Sequence, residues 1–263
     1  MQAQVNRISN KDCHHLFIII EQLNGLTYKP IHKCGTNSII NMLSFILQEQ
    51  NPELFEFDHE LKLISNWDDL EPKPEDAERR RNRRSFIERN FMFPFNEMKR
   101  RSNLYKFSFV RNPYHRFVSA YLQWKSWMEK GNIYGKSTIK AKGFAILLNN
   151  DFSFKSFTNY VLNMEEHFVR LTNSHWRSQY YSLYPLCWEN EVENNYNFIG
   201  RMENFEEDFN KILEAVNLPK TKLLHYQKRD DYDYRSYYTD NDIIDKIGKY
   251  YEKDIEEFNY SFE

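Results

Sequence analysis

Lys33, Gly35, Thr36, Asn37 and Ser38 stand together in a short polar turn, "HKCGTNS", between a β-rich run and an amphipathic stretch. A strand that feeds a helix through such a turn leaves backbone N–H groups and a partial positive charge at the helix start. That combination binds phosphate-like anions. Gly35 lets a backbone come close, Thr36, Asn37 and Ser38 add side-chain donors, and Lys33 places a mobile point charge over the nest. The lysine precedes the glycine, so this is not the GxxxxGK[ST] loop that cradles a triphosphate. Taken alone, the same residues also suit an ordinary helix start with a solvated lysine.

A second constellation lies further on. Arg111 closes the run "LYKFSFV", and Ser119 follows eight residues later, two turns into the next helical stretch. Ligands of open α/β sheets collect at the carboxyl ends of strands. There Arg111 can fork onto a phosphate while the Ser119 hydroxyl donates from the helix flank. The plain alternative is an exposed arginine and a helix-packing serine. Two strand-to-helix anion sites together suggest a ligand with two separated anionic groups.

These residues need particular elements to hold them. "LFIII" (16–20) reads as a strand, Asn24-Gly25 as a two-residue hairpin turn, and "LTYKPI" as its partner, with Pro30 at an edge or strand end. Ile39, Ile40, Leu43, Phe45, Ile46 and Leu47 fall mostly at helical spacing until Asn51-Pro52. Asn112 is a good N-cap and Pro113 a good first helical residue. Phe117, Ala120, Tyr121, Trp124, Trp127 and Met128 then line one helical face. "YNFIG" (196–200) is another strand, Asn204 with Glu207 resembles a capping box, and a last helix spans about 240–258. Strands alternating with helices predict an α/β protein, three-layer αβα around a mainly parallel sheet, in one domain over 1–263.

With 41% hydrophobic and 17% aromatic residues the 263-residue chain can bury a sizeable core, which argues against disorder. A formal charge of −2 gives no global field for nucleic acid or membrane, so any anion site is local. Five arginines within 79–84 read as a solvated helix face, or else as a clamp for an acidic acceptor. Cys13, Cys34 and Cys187 form no CxxC pair and no metal-ligand spacing, and three scattered cysteines suit a reducing compartment. No apolar run is long enough for a transmembrane segment or a signal-peptide core. No metal is expected.

"IHKCGTNSI" resembles the 5′-phosphosulfate loop of sulfotransferases, and "FVRNPYHRFVSAY" resembles their 3′-phosphate motif. "HWRSQYYSLYPLC", "YNFIGRMENFEEDF" and "IGKYYEKDIEEFNY" are similar to later blocks of the carbohydrate sulfotransferases that modify glycans, while 51–103 and 129–172 match nothing comparable. The resemblance implies a P-loop-NTPase-like sulfotransferase fold and the donor 3′-phosphoadenosine 5′-phosphosulfate. It implies that Lys33 contacts the 5′-phosphate and the sulfuryl group, that Cys34, Gly35, Thr36, Asn37 and Ser38 cradle the 5′-phosphate, and that Arg111 and Ser119 hold the 3′-phosphate. Lys228 and Arg229, in "QKRDD", match a late basic loop that also touches the 3′-phosphate. Many relatives carry a hydroxyl residue where this chain has Asn37. They also tend to be anchored, lumenal and cysteine-paired around the position of Cys187, so this chain fits a cytoplasmic, microbial version.

The reaction so implied moves a sulfuryl group to a hydroxyl of a carbohydrate. Lys33 then serves catalysis by meeting charge on the bridging oxygen, and His175, in "NSHW" with Trp176 beside it as a sugar-stacking ring, serves as general base. A His-Trp pair is also a common structural feature. Glu56, Asp58, His59, Glu60 and Glu88 lie where other sulfotransferases keep a base. Two other readings compete: a nucleotide-phosphate kinase or NTPase with a degenerate P-loop, and a non-catalytic glycan-binding protein that has kept the fold.

Overall fold

The computed structural model describes residues 16–55, 77–94, 97–98, 100–129, 151–165, 174–184, 196–221 and 232–262. The chain divides into two compact units, Met1–Val110 with Val192–Asp230 and Arg111–Glu191 with Asp231–Glu263.

The first unit is built on a five-stranded sheet in the order β3-β1-β2-β4-β5. Its strands are β1 (Leu16–Ile20), β2 (Leu26–Lys29), β3 (Met92–Pro94), β4 (Tyr105–Val110) and β5 (Phe198–Arg201). β2, β4 and β5 pair in parallel, while β1 pairs antiparallel with both β2 and β3. Only β1 therefore opposes the common direction, because a short hairpin can join only antiparallel neighbours. The sheet is mostly parallel, as an α/β class requires. Every residue of β1 and β2 is buried, so side chains on both faces are covered. One of them is Lys29, whose ammonium donates to the Leu16 carbonyl at 3.3 Å and lies 5.0 Å from the Phe17 ring.

The hairpin is longer than its Asn-Gly signal suggests. Ile20 pairs with Leu26, so residues 21–25 all lie in the loop. A short 3-10 turn over Glu21–Leu23 drives Leu23 fully into the core, and Asn24 and Gly25 follow at φ 55° and 75°. Burying Leu23 accounts for the extra length. Helix α1 (Thr36–Gln50) starts and stops within a residue of expectation and is buried from Ser38 through Gln48. Helix α2 (Ala77–Phe91) carries the arginine run. Helix α6 (Phe205–Ala215) sets Phe205 and Phe209 against Phe109 of β4, at 5.1 and 6.4 Å between ring centroids. No side-chain cap forms at Asn204. Instead the Asp208 carboxylate accepts the Arg201 N–H at 2.8 Å.

The second unit packs α3 (Pro113–Glu129), α4 (Phe154–Glu165), α7 (Asn241–Tyr250) and α8 (Glu252–Phe258) around an aromatic core, and α5 (Gln179–Leu183) lies against α8. Phe117, Tyr121, Phe157, Trp176 and Tyr251 are its centre. The Asn112 side chain caps α3 as expected, accepting the N–H groups of Tyr114 and His115 at 3.0 and 3.4 Å. The predicted apolar face ends early, since Trp127 is 40% exposed. The last helix is two helices, divided at Tyr251, whose buried hydroxyl donates to the Trp176 carbonyl. Among the described residues no helix is long and apolar enough to cross a membrane.

Candidate active site

β2 ends at Lys29 and Pro30 follows it, where a missing N–H interrupts no ladder. The turn then folds back on the Ile31 carbonyl, which accepts both the Cys34 N–H at 3.2 Å and the Thr36 hydroxyl at 2.7 Å. Thr36 thus braces the turn with the hydroxyl proton that the sequence assigned to a ligand. Lys33 and Gly35 both adopt left-handed backbone, at φ 70° and 66°, and alternate with Cys34 and Thr36, which do not. This alternation shapes a concave nest of N–H groups. It is the left-handed backbone that requires glycine at 35, since a Cβ there would meet only the flexible end of the Met202 side chain, Sδ and Cε at 2.7 Å. The first intrahelical bond of α1 runs from Ile39 N–H to Gly35 O at 2.9 Å. N–H groups ahead of it have no acceptor within the helix. Cys34 is a fully buried thiol in no disulfide, and its N–H is given to Ile31, so it shapes the turn rather than donating to an anion; Ser38 is also buried, and Lys33 is half-buried.

The arginine run is not simply a solvated face. Arg83 is 1% exposed and donates to the Gln48 side chain in the last turn of α1. Arg84 reaches the other end of α1, donating from Nη1 to the Asn37 side-chain oxygen and from Nε to Glu88 Oε1 at 2.6 Å. Neither contact was legible in the sequence, because both depend on α2 lying against α1. A cation therefore stands at the first turn of α1 that the motif itself does not contain.

In the second unit Arg111 is held through its peptide group. Gln179 accepts the Arg111 N–H at 2.8 Å and donates back to the Arg111 carbonyl at 2.9 Å. Gln179 is fixed in turn by Asp254, which is fully buried and accepts the N–H groups of Gln179 and Tyr180 at 2.8 and 2.9 Å and the Ser178 hydroxyl. Burial pushes the Asp254 carboxyl above its ordinary range, opposed by those hydrogen bonds and by the charge of Arg116. The Arg111 guanidinium meets Nε2 of His115. Burial, with the charges of Arg111 and Arg235, lowers the His115 pKa to about 3. The ring is therefore neutral and accepts from the guanidinium. It stacks on Tyr234, centroids 4.9 Å apart, and meets Tyr232 edge-on at 5.6 Å. Ser119 lies one helical turn beyond His115 on α3 and is buried, so the three residues form one stripe.

His175 is half-buried and meets Trp127 edge-on, ring centroids 5.5 Å apart. Trp176 cannot stack on a sugar: it is buried and packs against Phe157 at 5.5 Å. The exposed ring beside His175 is Trp127, which sequence reasoning had placed in the core. Glu88 is engaged with Arg84. Lys228, Arg229, Glu56, Asp58, His59 and Glu60 lie outside the described residues. Among the described residues no group of three or more His, Cys, Asp or Glu could hold a metal ion.

A profile described as "Sulfotransferase family" matches residues 17–261. The chain belongs to the sulfotransferase family. It is similar to carbohydrate sulfotransferase 14 of Danio rerio, 34% identical over 125 residues, 44% of this chain and 31% of the relative. It is similar also to carbohydrate sulfotransferase 9 of Homo sapiens, 31% identical over 148 residues, 52% and 31% of the two chains. A third relative, carbohydrate sulfotransferase 11 of Mus musculus, is 29% identical over 123 residues, 43% and 33%. The matched part of this sulfotransferase spans about a third of each relative's length. No solved structure matches it significantly.

Proposed function

We propose that this chain transfers a sulfuryl group from 3′-phosphoadenosine 5′-phosphosulfate to a hydroxyl of a carbohydrate acceptor. The observation that carries this reading is the turn at 33–38, in a chain of this family. It joins a left-handed lysine, a left-handed glycine and the start of α1 in one anion nest. In this reading Lys33 and the N–H groups of residues 35–38 receive the 5′-phosphosulfate, with Cys34 shaping the loop through its bond to Ile31, while Arg111 and Ser119 receive the 3′-phosphate. Lys228 and Arg229 assist at the 3′-phosphate. The family match runs through both units, and we read them as parts of one sulfotransferase domain. We read the three sparse cysteines as fitting a reducing, cytoplasmic setting.

The chemistry asks for in-line placement and for neutralisation of charge on the leaving group. Lys33 meets the charge that gathers on the bridging oxygen as the S–O bond breaks and the acceptor oxygen bonds to sulfur. His175 takes the acceptor's proton, and adenosine 3′,5′-bisphosphate departs. The leaving phosphate is held by lysine and backbone amides. The test is a transfer assay with radiolabelled donor against a panel of polysaccharides and glycans. Label should appear in at least one carbohydrate, and the His175→Asn variant should lose most of it. Donor binding with no transfer to any acceptor would instead support a glycan-binding protein without catalysis.

A further inference from the structure

We infer that Arg84 is a second cation of the donor loop, aimed by α2 at the 5′-phosphosulfate. This inference rests on the reading that the turn at 33–38 holds that group. Three observations carry it. Arg84 comes from a helix remote in sequence, yet its guanidinium bonds the side chain of Asn37, in the first turn of α1 where the anion nest lies. Its placement is built rather than incidental. The neighbouring Arg83 is buried and anchored to Gln48 at the far end of α1, which fixes α2 along α1 and leaves Arg84 to reach the near end. Glu88, one turn further along α2, holds Nε at 2.6 Å and so selects one rotamer of a side chain that is 36% exposed.

The donor count supports the same conclusion. A guanidinium carries five N–H groups on three nitrogens. Nε is taken by Glu88 and Nη1 by Asn37, and among the described residues Nη2 meets no acceptor, so a forked donor remains for an oxyanion. The charge is felt inside the turn as well. Tyr28, fully buried beneath Thr36, has its pKa raised by burial, and Arg84 is among the groups that work against that rise. Asn37 gains a purpose in this arrangement: its side-chain carbonyl holds the guanidinium, which a serine or threonine hydroxyl would do less well for want of reach. Lys33 supplies one charge to the nest and Arg84 a second, braced one from another helix.

The experiment compares two nucleotides. Adenosine 3′,5′-bisphosphate presents a 5′-phosphate, and adenosine 3′-phosphate lacks it. Calorimetric titration of the Arg84→Gln chain should show roughly tenfold or greater weakening for the bisphosphate, the scale of losing a charge-assisted pair, and no change beyond about twofold for the 3′-phosphate. Arg84→Lys, which keeps the charge but not the fork or the brace on Asn37 and Glu88, should recover only part of the bisphosphate affinity. If Arg84 merely braces α2, both variants will bind both nucleotides alike, or lose both together, and the assignment falls. A wild-type chain that binds the 3′-phosphate but gains nothing from the 5′-phosphate overturns the donor-loop reading itself, and this inference with it.

Discussion

In the turn at 33–38 the backbone does the shaping, whereas around Arg111 side chains do. The first nest depends on two left-handed residues, one of them its lysine, and on the free end of a fifteen-residue helix. The second fixes its arginine at both ends, with Gln179 on the peptide group and a neutral His115 on the guanidinium. In the proposed reading the difference matches what each cation would do. A group that binds a phosphate throughout turnover gains from being preorganised, since ordering it is then complete before the ligand arrives. A group that meets charge only as a bond breaks must follow the bridging oxygen, and Lys33 has the flexible stem for that.

Lys33→Ala strikes this contrast hardest. Turnover in the transfer assay should fall roughly 10²–10³-fold, the scale of removing one donor aimed at developing charge. Affinity for adenosine 3′,5′-bisphosphate should change much less. A variant that raised only the Michaelis constant would make Lys33 an ordinary binding residue, and the two turns would no longer differ in kind.

Arg111→Ala should show the opposite split. Titration with the bisphosphate should reveal a loss of roughly 2–4 kcal/mol, as expected when one member of a buried charged pair is truncated. Turnover at saturating donor should be spared by comparison. Equal losses in affinity and turnover would mean that Arg111 also serves the transition state.

The mildest effect concerns the brace on Arg111. His115 stays neutral when folded, with its pKa lowered to about 3 from an ordinary 6.5, mainly by burial. Below pH 6.5 the unfolded ring takes up a proton that the folded ring does not, so its contribution to stability is complete above that pH and is lost as pH falls toward 3. Urea unfolding at pH 7, 6 and 5 should show this decline, with a slope no steeper than one proton. In His115→Gln the slope should flatten. An unchanged slope would mean that other groups set the acid sensitivity.

How much of this was legible beforehand depends on the range of the interactions involved. Asn112-Pro113, Gly35 and the Asn51-Pro52 stop act within a few residues, and each does locally what its type predicts. β4 and β5 were visible because aromatic and β-branched residues cluster there. The hairpin misled because Asn24-Gly25 marks where φ turns positive but not that Leu23 is also folded inward. Trp176 and Trp127 exchanged roles for a related reason. Helical spacing places Trp127 near the core stripe, yet the apolar contacts run out before α3 does, while Trp176 is drawn under Tyr251 by a partner 75 residues away. Arg84, Gln179 and Asp254 carry no local signature, since each acquires its role only through a distant partner.

The central claim of the proposed function is that this sulfotransferase binds a nucleotide with separated 5′- and 3′-phosphates. Its most direct test is a calorimetric titration of the intact chain with adenosine 3′,5′-bisphosphate beside ATP, each with and without magnesium. The account predicts one bisphosphate bound per chain, at least about tenfold tighter than ATP, with an affinity indifferent to magnesium. ATP binding as tightly, and only with magnesium, would contradict it and favour nucleotide-triphosphate chemistry on this fold.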